Sequence, residues 1–425
     1  MRLPALAHRD FRNYQVGNFI SNIGNRMQFA AILWHVYERT HSNSYVGALG
    51  LIRVVPLLAF GLFGGVIADH FDRRKVLITT QFGMAAVAVG LSLVTIHHVD
   101  SVWAIYAMVA LGAVANAFNG PVRQAMVANL VPAKDFPNAA SINGITWRLS
   151  DILGPVFAAP LLVWKTAPLF SGIAWVYVIN AASFLAVIWA IWLLPARPPT
   201  VADQARSFAT AVTSIKEGFR FFKSAHVVRN TMIVDFWATF FGGAEALLPS
   251  FSDQVLHAGA AGYTILASAS GAGALIASVF TALLPTMRNQ GLWVLRMIGF
   301  FGIFTILFGM SSNIGVTYLF IAATGAADMV STVLRQSIRQ LSTPDSMRGR
   351  LGSIGMLFQI SGPQLGDAEA GIAADVFRNF GLARVAAIRT SVVVGGAGSL
   401  IVAGWWMWNS ALRRYDQHVE PEEAA

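Results

Sequence analysis

Twelve apolar runs, each long enough to cross a bilayer, constrain this chain more than any other feature. They fall near 13–38, 44–68, 76–97, 102–131, 138–164, 168–194, 227–255, 261–285, 291–311, 314–341, 350–377 and 382–411. About 20 mostly apolar residues suffice for a span, because the hydrocarbon core is about 30 Å thick and a helix rises about 1.5 Å per residue. Charged residues make up 12% of the 425 positions, about half the share usual in a soluble domain. The expected class is an all-α integral membrane protein with little left over for a soluble domain. The opening stretch MRLPALAHRDFRNY lacks the apolar core and small-residue cleavage site of a signal peptide, so the first span is expected to stay as an anchor. No cysteine occurs, which excludes disulfides, thiolate metal sites and thiol catalysis.

The net charge is +9, and the placement of the basic residues argues against nucleic acid as a partner. With the N-terminus assigned to the cytoplasm, 22 of the 30 Lys and Arg fall on that side, 5 on the other and 3 within spans. They are scattered over short loops, as positive-inside orientation requires, rather than gathered on one domain. Both termini are then expected on the cytoplasmic side.

The longest polar segment, Pro195 to Asn230, divides six spans from six. The expected organisation is a six-helix bundle over 1–194, a cytoplasmic linker over 195–226, and a second bundle with a short tail over 227–425. In the linker Phe208, Val212, Ile215, Phe219 and Phe222 recur at helical spacing, with Lys216, Arg220 and Lys223 on another face. That pattern suits a helix on the membrane surface. A shift of 212 residues lays Arg123-Gln124 on Arg335-Gln336, Pro132 on Pro344 and Ser141-Ile142 on Ser353-Ile354. Asn116 and Asn119 then fall on Asp328 and Ser331, so the fourth and tenth spans share a polar stripe ending in an arginine. Two similar halves around a central site is the architecture of alternating-access transporters.

The segment GGVIADHFDRRKVL, Gly64 to Leu77, places Asp69, His70, Asp72, Arg73, Arg74 and Lys75 between the second and third spans. Its glycine, acid and basic cluster, Gly65, Asp69, Arg73 and Arg74, resemble the loop signature of the major facilitator superfamily. The wider sequence resembles that superfamily's branch of enterobactin and proton-coupled drug exporters, through FNGPVRQAM, LVPAKDFPNAASING, GYTILASASGAGALI and GAADMVSTVLRQSIRQLSTPDSMRGR. The resemblance covers nearly the whole chain and implies twelve helices in two bundles. It also implies that the loop acid and basic cluster latch the two halves, a gate to which Arg123 and Arg335 are assigned as well. A topological role for Arg73, Arg74 and Lys75 is compatible with that one. Gly154-Pro155 resembles the antiporter Gly-Pro motif, although Ala158 and Ala159 stand where paired glycines are expected.

Polar residues inside the spans are the candidate site. Asn18, Asn22, Asn25 and Phe29 lie within a narrow arc of the first span, with Arg26 at its edge. Such a face either lines a cavity or meets another helix, since lipid is costly for it. Asn18, Asn22, Asn25, Arg26, Asn116, Asn119 and Asp328 are the substrate candidates. Arg53, Arg148, Asp151, Asp235 and Glu369 complete the interior charges, and Arg148 can pair with Asp151 three residues on. Glu245 and Asp367 are the proton-coupling candidates, because a carboxyl group taken out of water holds its proton more readily.

The reading is a secondary active exporter of amphiphilic small molecules, siderophore or drug-like, by alternating access and proton antiport. Its partners are a small-molecule substrate, protons and the bilayer, and the chain is expected to act as a monomer. No catalytic residues, cofactor or metal are expected, and no GxxxxGK[ST] loop is present for nucleotide. A lipid or lysophospholipid transporter is the alternative within transport. A polytopic enzyme would need a set of His, Asp or Glu near one membrane face, and a non-transporting sensor would tolerate loss of Arg26, Glu245 and Asp367.

Overall fold

The computed structural model describes residues 4–164, 171–194, 217–283 and 288–416, with the side chains of 62–70, 121, 124, 125, 282, 345, 346 and 353 also outside the description. Twelve long helices form within the described residues. They are α1 (Arg9–Thr40), α2 (Asn43–His70), α3 (Arg73–Ile96), α4 (Val102–Leu130), α5 (Phe136–Val163), α6 (Gly172–Trp192), α7 (His226–Gly242), α8 (Gly259–Leu283), α9 (Gln290–Met310), α10 (Ile314–Leu341), α11 (Asp345–Asn379) and α12 (Arg384–Asn409). No strand occurs among the described residues. Side-chain oxygens end several helices cleanly. Asp72 accepts from Arg74 N at 2.9 Å, Ser101 from Ala104 N at 3.2 Å and Asn313 from Gly315 N at 2.9 Å, satisfying donors that a helix start leaves open.

Nine of the spans pass a test of length and apolarity alone, with α7 counted through Val255. The helices α1, α5 and α11 do not, because their polar residues interrupt the apolar surface: asparagines and Arg26 in α1, Arg148 and Asp151 in α5, Asp367, Glu369 and Asp375 in α11.

The chain divides into two compact units, Met1–Thr40 with Ile52–Ala211, and His41–Leu51 with Val212–Ala425. In the first, Phe11, Tyr14, Leu77, Val122, Phe184 and Ile191 bury one core shared by α1, α3, α4 and α6. Glycine lets α5 reach α1: a Cβ on Gly154 would strike the Arg26 side chain and come within 3.0 Å of Met27 N. Gly154→Ala is therefore expected to destabilise the protein by about 1–3 kcal/mol through overpacking. The control is Gly144→Ala, where a Cβ meets nothing within 4 Å. Thermal unfolding of the two purified variants checks this, and equal midpoints would contradict it.

In the second unit Val234, Val294, Leu295, Leu334, Ile338 and Val402 join α7, α9, α10 and α12. The start of α2 belongs here, where Asp375 of α11 accepts from Ser42 Oγ at 2.6 Å and Ser44 N at 2.9 Å. Phe208, Val212 and Ile215 of the linker lie outside the described residues. Its last part, 217–224, is helical, and Phe222 is buried against Leu351 and Ile354, with its ring 5.5 Å from that of Phe358. Glu217 pairs with Arg350 at 2.5 Å. This end of the linker is therefore docked on protein, while Phe219 stays exposed.

The span expected at 227–255 is not one continuous α-helix. It breaks at Gly243 and resumes as a 3-10 turn, Glu245–Leu247, a helical turn, Leu248–Ser250, and a π turn, Phe251–Val255. Paired glycines, 242 and 243, weaken the helix, and the backbone of Gly366 lies so close that a Cβ on Gly243 would sit 3.1 Å from it.

Candidate functional site

Polar groups cluster at separate places in each unit. In the first, Arg26 Nε of α1 meets Asp151 Oδ1 of α5 at 2.6 Å, with Arg148 Nη1 3.9 Å from Asp151 Oδ2. The Arg26 and Arg123 guanidiniums lie over the Trp147 ring, 5.3 and 5.8 Å from its centroid. Arg53 stands 4.2 Å over the Phe29 ring. Each is a cation–aromatic contact, worth most where water is excluded. Arg123 also donates to Asn18 Oδ1 and to Asn22 Oδ1, the latter at 3.2 Å.

The remaining first-unit candidates do not join this group. Asn25 accepts from Asn180 Nδ2 of α6 at 3.5 Å, and Asn119 from Gln81 Nε2 of α3 at 3.3 Å, so both hold helices together. Asn116 is exposed on α4. Gly65 and Asp69 fall within α2, in the stretch whose side chains lie outside the described residues. Arg74 donates to Trp192 O at 2.5 Å, placing a cation at the negative C-terminal end of α6.

A buried cluster that the sequence reading missed ties α1 to the α3–α4 loop. Asp100 receives His35 Nε2 at 2.8 Å and Arg39 Nε at 3.0 Å, and His35 Nδ1 lies 3.1 Å from the Tyr177 hydroxyl. Burial works against the Asp100 charge, but the hydrogen bonds from His35 and Arg39 outweigh it and hold the carboxyl down at about 2. The depressed value makes this stabilisation, about 2 kcal/mol, fully present above pH 4 and lost as pH falls toward 2. The expected result is that Asp100→Asn lowers the unfolding midpoint at pH 6, with the gap to the parent closing between pH 4 and 2. A gap unchanged over that range would contradict it.

In the second unit Arg335 of α10 is 3% exposed and pairs with Asp235 of α7 at 2.7 Å and with Asp328 at 3.5 Å. Ser331 Oγ and Thr332 Oγ1 accept from it at 2.8 and 2.9 Å. The charge of Arg335, expected at a gate, is met within the helix core by an acid of α7. Asp328 is drawn into the same network. Glu245 and Asp367 come to one place, the break after α7. Asp367 Oδ1 accepts from Ala246 N at 3.1 Å, a carboxylate at the start of a helical turn, where exposed N–H groups favour negative charge. Both carboxylates also act electrostatically on the hydroxyl of Tyr263, which is fully buried in α8. Asp367 is buried, whereas Glu245 is exposed on the protein surface. Glu369 is half-buried on α11. Among the described residues no group of three or more His, Cys, Asp and Glu could hold a metal ion.

The family model for transmembrane secretion effectors matches residues 2–423. The chain belongs to this family, within the major facilitator superfamily. It is 25% identical over 366 residues to the enterobactin exporter EntS of Escherichia coli O81 (strain ED1a), covering 86% of this chain and 85% of that one. Solved structures agree in fold. A bacterial homologue of the human lysosomal transporter Spinster gives a TM-score of 0.73 at 14% identity, over 97% of this chain and 98% of that one. The nucleoside transporter NupG gives 0.70 at 13% identity, over 98% and 100%. This secretion effector is thus a multi-pass membrane transporter of the efflux type and not an enzyme.

Proposed function

We propose that this secretion effector exports an amphiphilic small molecule, siderophore or drug-like, across the bacterial inner membrane in exchange for protons. It does so as a monomer, by alternating access of two bundles, 1–194 and 227–425, with both termini cytoplasmic. Asp367 is the principal proton carrier, Glu245 its exposed neighbour, and the polar face around Arg26 belongs to the cargo path. One observation carries the coupling: the Asp367 carboxylate closes on the backbone of a broken span, at Ala246 N. Broken spans present helix ends to charge inside a membrane, which suits coupling-ion sites. Protonating Asp367 would remove the charge that favours that N–H, so the state of the proton and the geometry of the break are linked.

The test of cargo is a mass comparison of cell extract and medium from iron-starved cells with and without the protein. A siderophore retained inside only in its absence is the expected outcome. Unchanged iron-binding compounds with an altered phospholipid or lysophospholipid pool would overturn the siderophore reading in favour of lipid transport.

A further inference from the structure

We propose that Arg123, with Asn18, Asn22 and Trp147, binds an anionic group carried by an aromatic cargo. The inference rests on the export reading above and narrows its substrate class. Among the described residues Arg123 meets only neutral acceptors: the carboxamide oxygens of Asn18 and Asn22 and the hydroxyl of Tyr14. A guanidinium within a membrane span is costly unless an anion or water answers its charge. Arg26 differs, since Asp151 already balances it at 2.6 Å.

Two further observations point to a ligand. Asn18 and Asn22 are 1% and 4% exposed, yet their amide nitrogens have no acceptor among the described residues. Buried donors of this kind are normally satisfied. A half-turn of either carboxamide swaps its oxygen for N–H donors, so an anion on Arg123 would collect donors from all three residues. Trp147, meanwhile, remains 42% exposed beside the guanidinium. An aromatic body can stack on that indole while its charged group sits on Arg123.

The experiment titrates the purified full chain in zwitterionic nanodiscs with dansylglycine, an anion, and dansylglycinamide, its neutral counterpart. The parent is expected to bind the anion about tenfold tighter, the scale of one charge-assisted hydrogen bond. Arg123→Gln should bring the ratio close to one while amide affinity and unfolding midpoint hold. Asn22→Asp, which supplies an internal anion to Arg123 without removing it, should do the same. A ratio near one in the parent, or equal loss of both probes in Arg123→Gln, would overturn the proposal. Displacement of dansylglycine by phosphatidylglycerol in the nanodisc would also overturn it, assigning the site to a lipid headgroup. Proton-driven export measured on the same preparation separates the two readings: intact export with no anion preference removes only this one.

Discussion

Asp367→Asn is expected to abolish proton-driven export while leaving the protein folded and inserted. The substitution keeps an oxygen able to accept from Ala246 N, which the parent does at 3.1 Å, so the break in the seventh span keeps its hydrogen bond. What it loses is the carboxyl that takes up and releases a proton. Vesicles carrying the variant should move cargo no faster under a pH gradient than protein-free vesicles, with an unfolding midpoint near the parent's. Glu245→Gln should have the smaller effect, since Glu245 is exposed where Asp367 is buried. Unchanged gradient-driven transport in both variants would end the proton-carrier assignment.

Asp235→Ala should be the most destabilising single change in the second unit. It leaves Arg335, 3% exposed, with Asp328 at 3.5 Å as its carboxylate partner. Removing one member of a buried ion pair costs about 3–5 kcal/mol, while replacing both by apolar residues of similar volume is often close to neutral. Asp235→Ala combined with Arg335→Met should therefore recover most of the lost unfolding midpoint. A single variant as stable as its parent, or a double variant no better than the single, would contradict a role for this pair in holding α7 to α10.

These effects turn on pairings that linear sequence carries unevenly. The apolar runs and the central polar segment were legible, because burial in lipid writes itself as continuous composition. So was the Arg148 and Asp151 pair, whose members lie three apart on one helix and 3.9 Å apart in space. The partner of Arg335 was not, because Asp235 comes from another helix 100 residues earlier and no spacing rule reaches across helices. Asp328 and Ser331, seven and four residues before Arg335 on the same helix, were the visible part of that network. The same reason hides Asp100, which meets His35 and Arg39 from a loop beyond two further spans. The break after α7 left a visible sign in Gly242-Gly243, but hydropathy averages across two glycines and reads one span. Asn119 shows the converse limit: its register on the helix can be read from spacing, yet the neighbour it faces, Gln81 of α3, cannot.

Transport by purified protein in vesicles, under an imposed pH gradient, tests proton-coupled export most directly. The cargo is the compound retained by cells lacking the protein. Movement against its own gradient, abolished by a proton ionophore and by Asp367→Asn, is the expected result. Transport indifferent to the pH gradient and to that substitution would contradict it.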